Sequence, residues 1–344
     1  MNILITCAGR RNYLVDYFKE AVHPHGGKVH VFNTDADSAA YLQADIGALS
    51  PFANDPQYAA FVENYCITHG INAVLSCMDV DLSILADVKD KFSALGISVI
   101  IADPWVTDMA LDKLKTHQFL VEHNLPVTPL FTDLHQALES IQRGELHYPV
   151  YVKPRWGMGS IGLFKAENEK ELLFYFEKTS QLISGSFDRY GMVKEDSASV
   201  IIQGICPGQE YGLDIINDLA GQHQVTVVKQ KLGMRSGETD KAVTVKNEPL
   251  EKLGADIAAI TRHPANMDVD VFWDGEKAYI LEFNPRFGGG YPFSHAAGIH
   301  LPKAIVAWLR DEAVNKAELL TPRMGVKAVK GVTIVSSEKL AVSS

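Results

Sequence analysis

The sequence predicts an α/β protein, in which an N-terminal doubly wound parallel-sheet domain precedes an α+β region. In the first hundred residues, short apolar runs alternate with amphipathic stretches, which is the pattern of parallel strands joined by crossover helices. Farther along, β-rich runs are paired across glycine-containing turns, which is typical of antiparallel hairpins. A chain of 344 residues is also long enough for two or three domains.

Composition argues against several function classes. The formal net charge is -10, and the only basic cluster is the pair Arg10-Arg11, so neither nucleic acid nor an anionic membrane is expected as a main partner. The four cysteines lack CxxC spacing, which argues against a zinc site or disulfide framework and fits a cytoplasmic protein. No signal-peptide pattern and no apolar run of about 20 residues is present.

The N-terminal domain is predicted from four strand-like runs. The turn after the first run holds a single glycine, and without a GxGxxG pattern a nicotinamide dinucleotide site is not expected. Arg10 and Arg11 follow this turn, where a phosphate or carboxylate could bind; two solvated arginines fit the same pattern. The third run leads into Asp79 at the sheet edge. The predicted strands are Asn2–Thr6, Lys28–Asn33, Ala73–Cys77 and Ser98–Ala102.

A glycine-rich loop follows a predicted helix over Met109–Asn124. The strand-like run Val150–Lys153 enters this loop, and a second strand leaves it through Leu163-Phe164. Glycines let backbone N–H groups approach phosphate oxygens, and Lys153 adds a positive charge. No GK[ST] opens a helix, so this is not a Walker loop; a flexible glycine hairpin is the alternative.

The hairpin near the C-terminal end places polar residues on one face. The runs Asp268–Trp273 and Lys277–Phe283 flank the turn signal Asp274-Gly275. A two-residue turn would separate Asp270 from Glu282, whereas a three-residue loop groups them. Burial of one face specifies register, so we predict the three-residue loop. Its polar face holds Asp270, Glu282 and Asn284, and its apolar face holds Val269, Val271, Trp273, Tyr279 and Leu281.

Two carboxylates and a carboxamide oxygen suit Mg²⁺, which usually takes one or two carboxylates together with substrate phosphates. Arg286 and a glycine run follow the second strand. A solvated hairpin face is the alternative. The run LEFNPR resembles the magnesium-binding end of ATP-grasp ligases, especially their carbamoyl-phosphate-synthase large-subunit-like branch. The glycine loop KPRWGMGSIG and the entry segment LDKLKTHQFLVEHNLPVTP are similar to that family in the same order.

The resemblance covers about residues 108–307. It implies a two-lobed ATP-grasp α+β fold that follows a pre-ATP-grasp domain along the chain. It implies domains at 1–108, 109–198 and 199–311, with a tail or docking element at 312–344. It assigns ATP to Lys113, Lys153, Gly159, Ser160, Gln203, Ile205, Cys206 and Glu210, the last on the ribose. It assigns magnesium to Asp270, Glu282 and Asn284, and phosphoryl or acyl-phosphate stabilisation to Arg286, Arg235 and Lys231. Without the resemblance, Lys113, Glu210 and Arg235 fit ordinary surface residues equally well.

The resemblance further implies a ligase that phosphorylates a carboxylate with MgATP and joins the acyl-phosphate to an amine, releasing ADP and phosphate. The expected cofactors are ATP and Mg²⁺, with Mn²⁺ as a substitute, and the expected partners are a small carboxylate and a small amine. A homodimer is left open. The alternatives are a carbamoyl-phosphate-synthase-like phosphorylating subunit of a larger assembly and a noncatalytic ATP sensor. Retention of the three magnesium-side residues argues against the sensor.

Overall fold

The computed structural model describes residues 1–79, 81–157, 161–186, 198–235 and 237–336. Its strands are β1 Asn2–Thr6, β2 Val29–Asn33, β3 Ile46–Leu49, β4 Ile71–Ser76, β5 Ser98–Val99, β6 Leu130–Phe131, β7 Val150–Pro154, β8 Phe164–Ala166, β9 Val200–Gly204, β10 Gln209–Asn217, β11 His223–Arg235, β12 Glu238–Thr244, β13 Asn266–Trp273, β14 Ala278–Asn284 and β15 Lys327–Val329.

The helices connect and cover these strands. They are α1 Asn12–Val22, α2 Ala39–Gln43, α3 Tyr58–His69, α4 Leu82–Asp87, α5 Lys89–Ala94, α6 Pro104–Leu111, α7 Lys113–Glu122, α8 Leu134–Gln142, α9 Glu169–Ser186, α10 Glu248–Thr261, α11 Tyr291–Ala296, α12 Leu301–Leu309 and α13 Lys316–Leu319. Within the described ranges, no helix combines the length and the hydrophobicity needed to cross a bilayer.

The N-terminal sheet is parallel throughout, with strand order β3-β2-β1-β4-β5. The central strand β1 is buried on both faces, which is why its sequence is a continuous apolar run. The predicted doubly wound parallel sheet is therefore confirmed. Strand β3 was not predicted, because it is an edge strand of four residues that contains a glycine and is only partly buried or exposed.

A four-stranded antiparallel sheet of order β6-β9-β7-β8 forms the second layer. Val150 and Val152 of β7 and Ile202 of β9 are fully buried in its core, beneath α9. Strand β9 begins after residue 198 but pairs with β6 and β7. The domain boundary that the sequence analysis placed at residue 198 therefore separates β9 from the other strands of its sheet. Hydrogen bonding in a sheet can pair strands that are distant along the chain.

A six-stranded sheet of order β14-β13-β10-β11-β12-β15 completes the fold, with α10 against it. Strand β15, from the segment expected as a tail, adds antiparallel to β12. Buried residues of α1 and α12 belong to one hydrophobic cluster, including Phe18 and Ile305. This shared core fixes the N-terminal sheet against the C-terminal part of the chain.

The helix predicted over Met109–Asn124 is wrong as a continuous element. Asp112 has extended backbone angles, with φ -110° and ψ 106°, and begins α7 as its N-cap. Its Oδ1 accepts hydrogen bonds from the backbone N–H groups of Leu114 at 3.0 Å and Lys115 at 3.3 Å. Both of its carboxylate oxygens also accept from Arg155 at 2.7 Å. The break places Lys113 in the first turn of α7, beside the glycine loop.

The β13–β14 hairpin opposes Asp270 to Glu282 and Asp268 to Asn284. Opposed residues lie on one face of a sheet, so the predicted grouping of Asp270, Glu282 and Asn284 is confirmed. The predicted three-residue loop is wrong. Residues 274–277 form a four-residue turn, in which Asp274 Oδ1 accepts from two backbone N–H groups at 2.8 and 2.7 Å.

A β-bulge in β14 restores the alternation that the longer turn would otherwise reverse. The ladder passes from Glu282 directly to Ile280 and leaves Leu281 as the extra residue. Ile280 and Phe283 are therefore both buried in the core. The predicted placement of Tyr279 and Leu281 on the apolar face is wrong, because strict alternation does not anticipate a bulge.

Candidate active site

A cavity of about 500 Å³ lies between the carboxyl edge of the N-terminal sheet and one face of the six-stranded sheet. The N-terminal wall comes from the loops after β1 and β4, and the opposite wall from β11 to β14. Ligands bind at the carboxyl ends of strands in open α/β sheets, so the position itself is typical of a ligand site. Residues of functional interest in its lining are Arg10, Arg11, Asp79, Lys113, Asp270 and Glu282.

The polar face of the hairpin concentrates negative charge. Burial raises the pKa of Asp270, Lys231 opposes this effect, and the neighbouring charges of Asp268 and Glu282 add to it, so that the pKa is raised to about 7. Burial also raises the pKa of Asp268. Nδ2 of Asn284 donates to Oε1 of Glu282 at 3.4 Å. Crowded carboxylates of this kind are stabilised by a cation.

The donor set fits magnesium as this ion is usually bound in nucleotide sites. Among the described residues, no group of three or more His, Cys, Asp and Glu side chains is arranged to hold a metal by itself. Asp270 and Glu282 supply two carboxylates, and Asn284 supplies an amide oxygen. Mg²⁺ takes such a partial set together with phosphate oxygens and water, so the residues fit a cation that arrives with a nucleotide.

Lys231 lies between two acids that the sequence assigned to different ligands. Its Nζ is 2.7 Å from Oε1 of Glu210 and 2.6 Å from Oδ1 of Asp270. Burial alone would lower the pKa of Lys231, but the two carboxylates outweigh burial and raise it. Its ammonium thus balances the ribose-assigned and magnesium-assigned carboxylates.

Lys113 and Lys153 lie together at the other side of the hairpin face. Lys113 Nζ donates to the carbonyl oxygen of Gly157 at 3.0 Å. Burial lowers the pKa of Lys113, with Glu282 opposing that effect. Burial and the nearby charge of Lys113 lower the pKa of Lys153 to about 8. Both lysines line a narrow pocket that also contains Gln203.

The residues assigned to adenine follow one another along β9 and its connector. Gln203 is buried and donates through Nε2 to Thr128 Oγ1 at 3.2 Å. Ile205 is 37% exposed, and Cys206 is buried. Burial raises the pKa of the Cys206 thiol, with the nearby Lys153 opposing it. A Cβ at Gly204 would approach neighbouring side chains at 3.3 and 3.4 Å, so little room exists there for a side chain.

Arg286 forms a two-point ion pair with Asp79, which sequence reasoning did not link to it. Nε and Nη2 of Arg286 lie 2.6 and 2.7 Å from the two carboxylate oxygens of Asp79. Nη2 also donates to Oδ1 of Asn284 at 3.0 Å, and Nη1 to the carbonyl oxygen of Phe287 at 3.4 Å. Burial would raise the pKa of Asp79, but Arg286 outweighs it and lowers that pKa. Arg286 therefore ties the N-terminal sheet to the hairpin face.

One described residue of the prediction, Arg235, does not join this cluster. Arg235 is exposed and pairs with Asp240 Oδ2 at 3.2 Å. It is not part of the cavity lining, whereas its neighbour Met234 is, because successive strand residues point to opposite faces. Gly159 and Ser160 lie outside the described residues.

A buried ionic network beside the hairpin's polar residues, on the same face of the sheet, was missed by sequence reasoning. Lys229 and Asp214 form an ion pair with almost no exposure, and Ser294 and Asn266 also donate to Asp214. The signal available in the sequence was the period-two placement of Lys229 with Lys231 along β11. The glycine run after Arg286 packs against this region: a Cβ at Gly288 would lie 2.0 Å from Asp268 Oδ2.

Two family models match the chain. Residues 3–100 match the "PylC-like, N-terminal domain" model, and residues 196–332 match the model described as "ATP-grasp in the biosynthetic pathway with Ter operon". Among curated relatives, the carbamoyl phosphate synthase large chain of Campylobacter jejuni is 24% identical over 62% of this chain. That of Clostridium acetobutylicum is 25% identical over 74%. The chain spans only 19% and 24% of the length of these two relatives.

Solved structures with the same fold include enzymes that differ in their substrates. The biotin carboxylase domain of Hydrogenobacter thermophilus 2-oxoglutarate carboxylase, in complex with MgADP, matches with a TM-score of 0.72 at 15% identity, covering 95% of this chain and 73% of that one. An L-amino acid ligase from Bacillus licheniformis matches with a TM-score of 0.69 at 18% identity, covering 94% and 78%. By the family models, residues 3–100 form a PylC-like N-terminal domain and residues 196–332 belong to an ATP-grasp domain.

Proposed function

We propose that this protein is an ATP-dependent ligase that phosphorylates a carboxylate and joins the resulting acyl-phosphate to an amine. The observation that supports this most directly is the shared cavity. It joins Lys113, the carboxylates Asp270 and Glu282, and two arginines of the N-terminal wall. A nucleotide, a cation and a small acid can therefore meet at one place. Positioning and charge neutralisation are the main requirements of phosphoryl transfer.

The nucleotide is proposed to occupy the narrow pocket lined by Lys113, Lys153 and Gln203, which shares Lys113 with the cavity. Lys113 and Lys153 contact its phosphates, together with Gly159 and Ser160 of the glycine loop. Main-chain groups of Gln203, Ile205 and Cys206 read the adenine edge, and Glu210 accepts from the ribose hydroxyls. Glu210 is paired with Lys231, so ribose binding exchanges one of these contacts for hydroxyl donors.

Asp270, Glu282 and Asn284 are the proposed holders of magnesium, which neutralises phosphate charge when it is bound. Lys231 neutralises part of the negative charge of Asp270. We propose that Lys231 contacts a phosphate when Asp270 binds a cation instead. The contacts with Asp79, Asn284 and Phe287 use four of the five N–H groups of the Arg286 guanidinium. Arg286 is proposed to stabilise the phosphoryl group through the fifth. A role of Arg235 in stabilising the phosphoryl group is only a proposal, since its side chain is 65% exposed.

The proposed reaction has two steps. A carboxylate oxygen of the acid attacks the γ-phosphorus of ATP, the bond to ADP breaks, and an acyl-phosphate forms. The amine nitrogen then attacks the acyl carbon, phosphate leaves with its bonding electron pair, and the amine loses a proton to solvent. The chain contributes orientation and electrostatic stabilisation and forms no covalent bond to the substrate.

Phosphate release from MgATP is the direct test. It is measured against a library of amino acids, dipeptides and small carboxylates, with mass spectrometry of the products. We expect release that depends on both an acid and an amine, together with a new amide mass. ATP binding without release from any mixture would contradict the ligase and favour a sensor.

A carbamoyl-phosphate-synthase-like activity is the second candidate, because the curated relatives named above are carbamoyl phosphate synthase large chains. Bicarbonate-dependent phosphate release that ammonia stimulates, without an amide product, would favour it over the ligase. We also propose a cytoplasmic location, since none of the four cysteines forms a disulfide. Mn²⁺ as a substitute for Mg²⁺ and assembly as a homodimer remain proposals; the Hydrogenobacter thermophilus domain is described as a dimer.

A further inference from the structure

The cavity has two ends of different charge. At the hairpin end, Asp268 and Glu282 lie close enough to Asp270 to raise its pKa. At the arginine end, on the N-terminal wall, Arg10 and Arg11 follow β1, and Glu238 of β12 lies near them. Lys330, Arg11 and Arg10 lower the pKa of Glu238 against the effect of burial, so these four charges form a separate group.

The arginine end keeps an excess of positive charge. Glu238 Oε2 accepts from Lys330 Nζ at 3.0 Å, so its carboxylate is already paired. Three cations, namely Arg10, Arg11 and Lys330, therefore face one carboxylate, which leaves a net charge of about +2. Asp79 does not cancel this excess, because both of its oxygens are bound by Arg286.

The donors at this end are available to a ligand. Arg11 Nη1 donates to the carbonyl oxygens of Cys77 and Phe287, which fixes the side chain but leaves its charge unpaired. Within the described ranges, neither the guanidinium of Arg10 nor the hydroxyl of Tyr13 makes a hydrogen bond or an ion pair. Burial raises the pKa of Tyr13, so this hydroxyl keeps its proton and remains a donor.

Arg10 and Arg11 thus offer only donors and positive charge to the cavity, and the Tyr13 hydroxyl can donate as well. Such a set selects an acceptor-only group, which is a carboxylate or a phosphate-type anion. The acid that reacts must reach the hairpin end, where the proposed magnesium ligands lie. A group held by Arg10 is therefore an anionic group other than the reacting carboxylate.

We propose that Arg10, Arg11 and Tyr13 bind a second anionic group of the substrate, so that the acid activated by this enzyme is a small diacid. This inference rests on the proposed function for the identity of the reacting end. The binding of the second group depends on the arginine end alone. The N-terminal domain then selects the substrate, and the ATP-grasp region carries out its activation.

The test is direct binding in the presence of MgADP, followed by saturation-transfer NMR. The probes are the straight-chain dicarboxylates from succinate to pimelate, the matching monocarboxylates, and 3-phosphonopropionate. We expect at least one dicarboxylate or the phosphonate to bind at least about tenfold more tightly than its monocarboxylate counterpart, a difference of about 1.4 kcal/mol. The phosphonate distinguishes a preference for a phosphate-type anion from one for a carboxylate.

Arg10→Gln should remove this preference and leave MgADP affinity unchanged, because Arg10 is not among the residues proposed to bind the nucleotide or magnesium. Arg310→Gln is the matched control: Arg310 is also partly exposed but pairs with Glu312 at 2.7 Å, outside the cavity. Equal binding of all probes, or equal loss in both variants, would overturn the proposal. Diacid binding that needs Arg10 but yields no phosphate release would instead leave the subsite standing and contradict the ligase.

Discussion

The two walls of the cavity are built in opposite ways. The hairpin wall takes Asp268, Asp270, Glu282 and Asn284 from two adjacent strands, and ladder pairing sets their order. The N-terminal wall takes Arg11 and Asp79 from separate loops. Its main polar contacts join residues that are far apart in the sequence: Arg11 and Phe287 are separated by 276 positions, and Arg286 and Asp79 by 207. Local pairing therefore encodes one wall, and tertiary packing assembles the other.

The walls also differ in how their charges are balanced. The hairpin wall crowds carboxylates, and Lys231 compensates only part of their charge. In the N-terminal wall, Asp79 is fully paired by Arg286, with both side chains 11% exposed. A substitution on the hairpin wall should therefore affect cation-dependent chemistry, whereas breaking the Asp79 pair should affect both stability and chemistry.

The largest effect is expected on the hairpin wall. Glu282→Gln keeps the side-chain shape but removes one negative charge from the proposed magnesium site. We expect substrate-dependent phosphate release to fall roughly 10²–10³-fold, with the thermal unfolding temperature nearly unchanged. Glu276→Gln, in the exposed turn of the same hairpin, is the control and should retain full activity. Normal turnover of Glu282→Gln would contradict the magnesium assignment.

Asp79→Asn tests the link between the walls. It leaves the charge of Arg286 without its two-point partner, and we expect the free energy of unfolding to fall by about 2–3 kcal/mol. Because Arg286 also contacts Asn284, kcat should fall about 30-fold while ATP affinity stays within about twofold. The control Asp103→Asn removes an exposed pair with Lys89 at 3.0 Å.

Adding Arg286→Met to Asp79→Asn sharpens this comparison. If the cost arises from the unpaired guanidinium, the double variant should regain much of the lost stability but none of the lost turnover. Additive losses in urea unfolding would show that the two residues do not act as a pair.

Lys153→Met should weaken ATP binding about tenfold without a comparable loss of stability, because it removes a buried positive charge beside the proposed phosphates. The matched control is Lys165→Met on the adjacent strand β8, where Lys165 is 45% exposed and pairs with Glu167. Titration of ATP with each variant gives the comparison. Unchanged affinity in Lys153→Met would move the phosphate site elsewhere.

The smallest effect concerns pH. The pKa of Lys153 is lowered from 10.5 to about 8, so the folded chain binds fewer protons than the unfolded chain between these values. The contribution of Lys153 to the free energy of unfolding therefore rises as pH rises through this window. The stability difference between wild type and Lys153→Met should shift in favour of wild type from about pH 7 to about pH 9, measured by urea unfolding. ATP affinity of wild type should fall over the same interval, and a constant affinity would contradict the charge assignment.

The sequence predicted those parts of the fold that depend on local pattern. Alternation and turn signals identified the β13–β14 hairpin, and its polar face was confirmed even though its loop was wrong. Strand β3 and the break at Asp112 were missed. Strand β3 has only four residues, one of them a glycine. The Asp112 carboxylate, between the two helices, is held by Arg155, 43 residues away.

The sequence alone predicted the grouping of Asp270, Glu282 and Asn284 and the parallel N-terminal sheet, because strand periodicity acts over a few residues. Only the tertiary structure decided three contacts. Asp79 pairs with Arg286, Lys231 lies between two acids, and Arg10 lies near Glu238. No periodic pattern relates these residues. The hydrophobic core shared by α1 and α12 brings their loops together, and charge pairing at the cavity follows from that packing.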